Sequence, residues 1–526
     1  MRPTRRSRAG RIGRVLAGLV ALAALVAVGT MWWSSLRPAT YSALAMGVPD
    51  TGDGTTSADA DHGHGVGDDG DGPDASAVPV TELVADPLRV PDVHVELVAR
   101  AESVTLPSGE SFDGITLNAV TPGPEIRLRQ GQLVEVVLVN ESVAGGATLH
   151  WHGVDVPAAM DGVAGVTQDA VLPGERFAYR FVAEDAGSYW YHSHQVSHEQ
   201  VVAGMFGALI VEPVEPGGAD GPDGADEPGD PDEPDEPGGT ASDAVALLHT
   251  YPGTSRTLNG TAGEVRHEAG PGDAVRVRVA NTDSTPTAVW VSGGPFRVLA
   301  VDGTELHGPT PLERQRLQVS AGGRIDLEVT VPASGAVRVQ ALGVSLLVGP
   351  ADAEAPTVPA PAELVDLLHY GTLAPLGFDP TRPDRSFAYD IGRAPGFLAG
   401  VPGIWWTING RMGDDVPMYM VREGDVVEMR ITNGSGEVHP MHLHGHHVVV
   451  LARDGVAATG SPWWVDSLDV GHGESYDVAF VADNPGIWMD HCHTLPHAVE
   501  GLVTHLMYEG VTTPFLLGRG SGNEPE

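Results

Sequence analysis

The sequence predicts an all-β protein built from three homologous antiparallel sandwich or barrel domains. One observation is a repeated element that starts with glycine, alternates apolar and polar residues, and ends with asparagine. Such alternation is typical of a half-buried strand. The three copies lie at residues 131–140, 272–281 and 424–433. The chain also contains 68 glycines and 42 prolines, which suits short strands and many turns more than helices.

A second repeated element supports three domains and shows how they differ. Its copies lie between pairs of glycines at residues 174–187, 322–335 and 473–486. Five residues after the closing glycine, the first copy has His192 and the third has His491, whereas the second has Gln340. The middle domain is therefore predicted to keep the scaffold and to lack the ligands.

Changes in composition between the repeats set the expected domain limits. Residues 41–80 are rich in glycine and aspartate and low in hydrophobic residues, which indicates a disordered stalk. Residues 214–240 consist mostly of Asp, Glu, Pro and Gly, which indicates an extended acidic linker. The three β-domains are expected at residues 81–213, 241–352 and 353–515, followed by a flexible tail at residues 516–526.

Residues 1–40 combine a basic N-terminus with an apolar run from Val15 to Trp33. Arginines in front of such a run are typical of a signal peptide or signal anchor, with the bulk of the chain exported. No small-residue cleavage site follows the run directly, so we expect a retained anchor. The protein is then expected at the extracellular face of the cell membrane, or secreted if the segment is cleaved.

The formal net charge of the chain is −40, from 70 acidic and 30 basic residues. Such an acidic surface argues against nucleic acid as a partner. We expect a monomer whose partners are small molecules or metal ions, apart from any membrane contact of the N-terminal segment.

Histidines occur in four clusters, each with a pair two residues apart. In a strand, residues i and i+2 project from the same face, so each pair can serve one metal site. A single pair is weak evidence, but four pairs, divided between the first and third domains, favour a shared metal site. The pairs are His150 and His152, His192 and His194, His442 and His444, and His491 and His493.

The only cysteine, Cys492, lies between His491 and His493. In an extended segment its side chain points away from both histidines, so three consecutive residues can bridge two metal centres. With His439 and His497 it forms the His₂Cys set of a blue-copper site, while the eight paired histidines suit three further metals. Zinc is the alternative metal, although it has no redox chemistry that would use such a bridge.

These four clusters resemble the copper-binding segments of the multicopper oxidases, the laccase-like family, over roughly residues 85–512. The resemblance implies three cupredoxin-like Greek-key domains, with four coppers per chain. It implies a type 1 copper in the third domain and a trinuclear cluster between the first and the third. The implied ligands are His439, Cys492 and His497 for type 1, His150 and His442 for type 2, and His152, His192, His194, His444, His491 and His493 for the type 3 pair.

The resemblance also implies the reaction, which is four one-electron oxidations of a reducing substrate coupled to reduction of O₂ to two waters. His497 would receive the electrons, and Cys492 would pass them to the cluster. Asp161 matches an acidic residue of the family near the type 2 copper, where it could relay protons; an ordinary Asp-Gly turn is the alternative. Leu502 occupies the axial position, where leucine cannot coordinate and is expected to raise the reduction potential.

One departure from the family concerns the second proton route. Many members carry an acid between the HCH cluster and the next histidine, where this chain has Thr494-Leu495-Pro496. Glu500 is the nearest substitute in sequence, and a plain surface glutamate is the alternative. Asp466 and Asp469 are candidates for the mouth of a substrate site, with ordinary strand-end carboxylates as the alternative.

Three functions compete. The first is a laccase-like oxidase of phenols or similar aromatic donors. The second is a metal-ion oxidase for Cu(I), Fe(II) or Mn(II) in copper or metal homeostasis; a methionine-rich insert would favour Cu(I), but the 12 methionines are scattered. The third is a non-enzymatic copper-binding scaffold, which the complete ligand set disfavours.

Overall fold

The computed structural model describes residues 8–52, 77–214 and 242–526. Strands dominate its regular structure, and the predicted all-β class is confirmed. The arginine-rich start, most of the expected stalk and most of the expected acidic linker lie outside the described residues.

The N-terminal helix leads directly into the third domain rather than into a stalk. Helix α1 spans Arg8–Ser34. Strands β1, Val48–Asp50, and β2, Val78–Pro79, both pair in parallel with strands of the third domain. The expectation of a disordered stalk over residues 41–80 is therefore wrong at both ends of that range, because backbone pairing fixes them.

The first domain packs two four-stranded sheets around an apolar core. Its strands are β3 Val93–Thr105, β4 Ser111–Leu117, β5 Ile126–Arg129, β6 Leu133–Asn140, β7 His150–His152, β8 Arg176–Val182, β9 Gly187–His192 and β10 Phe206–Glu212, with helix α2 Ser197–Gln200 before β10. One sheet has the order β4-β3-β6-β8 and the other β5-β10-β9-β7. Val134, Val136 and Leu138 alternate along β6 and are fully buried, as the pattern of the first repeat predicts.

The second domain contains eleven strands in one continuous sheet. The strands are β11 Ser242–His249, β12 Thr257–Leu258, β13 Thr261–Glu268, β14 Ala274–Asn281, β15 Thr287–Ser292, β16 Phe296–Val301, β17 Thr304–Glu305, β18 Arg316–Val319, β19 Arg324–Thr330, β20 Val337–Ala341 and β21 Val344–Gly349. The order is β17-β16-β19-β14-β11-β12-β13-β21-β20-β15-β18. Val277 of β14 and Val339 of β20, from the two halves of this sheet, are buried in the same core.

The third domain pairs a larger sheet with the sheet that carries the remaining ligands. Its elements are β22 Arg385–Leu398, β23 Val401–Ile408, β24 Pro417–Val421, β25 Val426–Asn433, β26 His439–Leu443, β27 Val448–Arg453, β28 Val456–Ala457, β29 Trp464–Val465, β30 Ser467–Val470, β31 Ser475–Val481, β32 Ile487–Cys492, helix α3 Leu495–Val499, β33 Val503–Tyr508 and β34 Val511–Thr512. The larger sheet has the order β23-β22-β25-β31-β27-β28, with β29 on β27. The other has the order β1-β24-β33-β32-β26-β30.

The repeated asparagine explains why the three domains share one sequence pattern. Its backbone carbonyl accepts a hydrogen bond from the first glycine of the second repeat, at 2.7 Å for Asn140, 2.9 Å for Asn281 and 2.7 Å for Asn433. Each asparagine side chain is buried and donates to backbone carbonyls of neighbouring loops. A buried loop carbonyl requires such a donor. The two repeats are thus the two halves of one strand pair, β6–β8, β14–β19 and β25–β31.

Residues 516–526 pack against the first domain, so the expectation of a flexible tail is wrong. Asn523 is buried, and its side chain accepts a hydrogen bond from the backbone of Ala170 at 2.9 Å. The side chain of Gln195 accepts another from the backbone of Glu524 at 3.0 Å. Hydrogen bonds to the first domain therefore hold much of this segment in place.

Candidate metal centre

Four short strands present the paired histidines from two sheets that face each other. In the first domain, β7 pairs with β9 and sets His150 beside His192. In the third domain, β26 pairs with β32 and sets His442 beside His491. Because strand pairing fixes which face each residue occupies, the two domains bring their histidines to one shared boundary.

The paired histidines form one buried cluster across that boundary. The Nε2 atoms of His150 and His442, from different domains, lie 3.4 Å apart. Those of His444 and His491 lie 3.3 Å apart. Candidate ligand atoms converge in four overlapping sets: His150 with His442 and His444, His150 with His152 and His192, His194 with His444 and His491, and His152 with His442 and Asp466. His493 belongs to none of these sets, but its ring lies 4.9 Å from that of His152, centroid to centroid.

The cluster contains buried ring nitrogens that are available to bind a metal. Within the described part of the chain, His192 Nε2 and both ring nitrogens of His194 and His493 are buried without a hydrogen-bond partner. Burial, with neighbouring histidines adding to it, lowers the pKa of all three rings, so they are neutral. Neutral imidazole is the form that binds metals, and unpaired buried nitrogens are rare otherwise. These residues therefore fit copper.

A second, smaller site lies on the other face of β32. Cys492 Sγ is 3.5 Å from His439 Nδ1 and 3.7 Å from His497 Nδ1, and the two nitrogens are 3.2 Å apart. This is the His₂Cys arrangement of blue-copper proteins. Burial raises the pKa of the Cys492 thiol and lowers that of His439 to about 3. Burial alone therefore favours a neutral thiol beside a neutral imidazole, and a bound metal would stabilise the thiolate instead.

Cys492 and its neighbours join the two sites as the alternation of a strand predicts. His491 faces the cluster, while Cys492 faces His439. The predicted axial residue, Leu502, is fully buried, and its backbone carbonyl accepts a hydrogen bond from the Cys492 backbone at 3.1 Å. The structure therefore brings together every residue that the sequence analysis assigned to copper.

Asp161 contacts the cluster from the first domain. Its carboxylate accepts hydrogen bonds from Nδ1 of His150 at 3.1 Å and from Nδ1 of His444 at 3.0 Å, which leaves Nε2 of each ring for metal. Gly162 has a φ of +78°, and a Cβ there would lie 1.8 Å from the carbonyl oxygen of Leu149. The Asp-Gly turn is thus required by the backbone, and it also brings the carboxylate against β7.

The second domain supplies none of these ligands, yet it contacts the cluster through Arg324. The guanidinium donates two hydrogen bonds to Asp466, at 2.7 and 2.5 Å. Burial opposes ionisation of Asp466, but Arg324 holds the pKa of this carboxyl well below its usual range. The ionised carboxylate accepts from Nε2 of His152 at 3.1 Å, which leaves Nδ1 for metal. Asp466 is therefore a cluster residue and does not lie at a substrate mouth.

Gly322 gives the second domain a backbone contact with two ligands. A Cβ at this position, where φ is +81°, would lie 2.7 Å from His152 and 3.1 Å from His493. Its carbonyl oxygen also accepts a hydrogen bond from Trp190 Nε1 at 3.0 Å. Sequence analysis missed this role, because it used Gly322 only as the start of the second repeat.

Glu526 is a second carboxylate at the cluster that sequence analysis missed. Its Oε1 lies 3.0 Å from His491 Nδ1, and its Oε2 accepts a hydrogen bond from the Ser197 hydroxyl at 2.9 Å. Burial raises the pKa of Glu526 to about 8. Glu500, the expected substitute, instead accepts from Trp406 Nε1 at 3.0 Å, beside the His₂Cys site.

A buried histidine cluster beside a His₂Cys site, held between cupredoxin-like domains, defines a copper-dependent oxidoreductase that uses O₂. Multicopper oxidase family models match residues 99–216 and 382–510.

Laccase-1 of Botryotinia fuckeliana is 27% identical over 75% of this chain and 78% of its own length. Multicopper oxidase MmcO of Mycobacterium tuberculosis (strain ATCC 25618 / H37Rv) is 28% identical over 76% and 84%. The crystal structure of a multi-copper oxidase from Pseudomonas Thermotolerans superposes with a TM-score of 0.63 at 26% identity, covering 80% of this chain and all of that one. The chain belongs to the multicopper oxidase family.

Proposed function

We propose that this multicopper oxidase is laccase-like and takes its electrons from phenolic donors. The observation that carries the proposal is a cavity of about 590 Å³ that includes His497 in its wall. Its volume falls in the range of small-molecule sites. Val438, Leu367 and Trp463 supply apolar wall, and Glu437 supplies a carboxylate. An aromatic ring with one hydroxyl group fits such a wall.

The proposal assigns four coppers to the two sites. His497 is suited to receive electrons, because Nδ1 faces Cys492 while Nε2 faces Glu437 at 3.6 Å. The proposed ligands are His439, Cys492 and His497 for type 1, with Leu502 as the axial non-ligand; His150 and His442 for type 2; and His152, His192, His194, His444, His491 and His493 for the type 3 pair.

Copper, when bound, supplies the one-electron chemistry and the activation of O₂; the protein chain holds the ligands and handles protons. Cys492 and its two flanking histidines form the short covalent path between the sites. Reduction of one O₂ to two waters consumes four electrons and four protons. Asp161 is placed to hold a proton at a carboxylate oxygen beside the cluster, and we propose it as a relay. Glu526 is a second carboxyl beside the cluster: its Oε1 lies 3.0 Å from Nδ1 of His491, without the geometry of a hydrogen bond.

Glu437 provides a test of the donor class. Glu437→Gln should lower kcat/KM for a phenol by about tenfold, because a neutral amide accepts the phenol proton poorly and forms a weaker hydrogen bond. Oxidation of ferrocyanide, which has no proton to lose, should not fall. The measurement is O₂ uptake by copper-loaded protein with each donor.

The matched control is Glu423→Gln, the same change at an exposed position of the third domain. It should leave both donors unaffected. Equal loss with phenol and ferrocyanide would contradict the proposed role of Glu437, and no uptake with any donor at full copper loading would contradict the oxidase function.

Metal-ion oxidation is the second candidate, because Glu437, Asp469 and Glu474 all line the same cavity. Asp469, unlike Asp466, is part of the wall of the cavity proposed as the donor site. Burial raises its pKa to about 7, so it is partly neutral near neutral pH and attracts a cation less strongly. The same O₂-uptake assay with Fe(II), Cu(I) and Mn(II) separates the candidates: a higher kcat/KM for one of these ions than for any phenol would favour the second.

We also propose that the N-terminal helix is a retained membrane anchor, with the oxidase domains exported. The segment Arg14–Ser34 has 21 residues, a mean hydropathy of 2.2 and no buried part. At about 1.5 Å per residue it is long enough for the hydrocarbon core of a bilayer, roughly 30 Å thick.

A further inference from the structure

The end of helix α1 is attached firmly to the third domain. Trp32 Nε1 donates to the carbonyl oxygen of Gly400 at 3.2 Å, and the Gly400 amide donates to the Ser35 hydroxyl at 3.2 Å. Arg37 forms an ion pair with Asp414 at 2.8 Å. Tyr41 pairs through its backbone with Leu517, so only residues 35–40 lie between the helix end and the paired part of the chain.

The hairpin of β22 and β23, which Gly400 joins, has an apolar and exposed tip. Val401 is 54% exposed and Ile404 is 62% exposed. Residues 391–408 contain one arginine and no acid, in a chain with 70 acidic residues. A hairpin of this kind, apolar at its exposed tip and without acidic residues of its own, marks a contact surface rather than ordinary solvated surface.

The base of this hairpin reaches the proposed type 1 site. The Trp406 ring lies 4.6 Å from the ring of His439 and 4.5 Å from that of His497, centroid to centroid. Five residues of extended strand separate Trp406 from Val401, a distance of roughly 17 Å. The apolar tip and the copper site are thus two ends of one short rigid element.

We infer that the tip of the β22–β23 hairpin inserts into the outer surface of the lipid bilayer beside helix α1. The inference rests on the retained anchor proposed above, because the contacts of Trp32 and Ser35 place the tip next to the helix end. The bilayer is the occupant that fits, since its interface accepts apolar side chains and repels the acidic remainder of the domain. This contact holds the proposed type 1 site at a fixed short distance from the membrane.

A fluorescent label on single introduced cysteines tests the inference in the full chain, reconstituted with copper in nanodiscs. The native Cys492 is fully buried and does not compete for the label. Labels at Val401→Cys and, as a second tip variant, Ile404→Cys should be quenched at least about twofold by doxyl-labelled lipids. Val20→Cys in α1 should be quenched as well, which reports insertion of the helix.

The matched control is Val456→Cys. Val456 is 52% exposed and lies on β28, at the opposite edge of the same sheet, so its label should not be quenched. Quenching at Val20 but not at either tip position overturns the inference and leaves the anchor standing. A blue-shifted tip label without quenching does the same, because it would indicate that a second copy or a protein partner covers the tip. Absence of quenching at Val20 overturns the anchor together with the inference. None of these outcomes affects oxidase activity, which is measured in the same discs.

Discussion

Cys492→Ser is expected to abolish any intense blue absorption of the copper-loaded protein and to lower its oxidase activity by at least about 100-fold. The thiolate is the soft ligand that distinguishes the His₂Cys site, and a serine hydroxyl cannot replace it. The substitution also interrupts the covalent path to His491 and His493. Visible absorption and O₂ uptake with a phenol measure the two effects.

The paired histidines should keep their copper in this variant, because the sulfur of Cys492 projects from the opposite face of β32 and contacts His439 instead. Copper per chain should therefore fall by one. Retained blue colour would refute the type 1 assignment, and loss of all copper would show that the two sites are not independent.

Arg324→Met is expected to lower the free energy of unfolding by about 3–5 kcal/mol, the usual cost of leaving a buried charge without its partner. Both Arg324 and Asp466 are only about 1% exposed. The variant should also lose copper, because Asp466 no longer fixes the ring of His152 with Nδ1 towards the cluster. Chemical denaturation of the copper-free protein and copper analysis of the loaded protein measure the two effects separately.

Two further variants separate positioning from stability. The double variant Arg324→Met/Asp466→Leu removes the whole ion pair and should recover much of the stability without recovering copper. Arg278→Met is the matched control: Arg278 is a buried arginine of the same domain, but it contacts Asp326 and Ser188 and not a histidine. The Arg278→Met variant should have a lower free energy of unfolding but should bind the normal amount of copper. Full copper in Arg324→Met would contradict the positioning role.

The fold and the meeting of the paired histidines could be predicted because their signals are local. A strand in which apolar and polar residues alternate can be recognised from a few residues, and the glycine and asparagine of each repeat mark its ends. The pairs such as His150 and His152 need only that same period to share a face. The repeats show which strands of the three domains correspond. The histidine pairs of the first and third domains can therefore be matched without knowledge of contacts between distant residues.

The supporting residues could not be predicted because their partners are distant in sequence. Arg324 belongs to a domain without ligands, and only the packing of all three domains brings its guanidinium to Asp466. Glu526 reaches His491 from a segment whose composition suggests flexibility. Asp466 follows Trp463 and Trp464 in the sequence, which suggested a substrate mouth. The structure instead buries its carboxylate against Arg324 and His152. Burial and long-range pairing decide such roles, and neither is encoded in a local pattern.

The division of the cluster between two domains also constrains how the protein matures. His150 and His442 meet only after the whole second domain has been made and the first domain has docked on the third. Contacts this distant in sequence form slowly and late in folding. A partly synthesised or partly folded chain therefore has no complete cluster to bind copper. The copper content of a chain would then distinguish mature chains from immature ones.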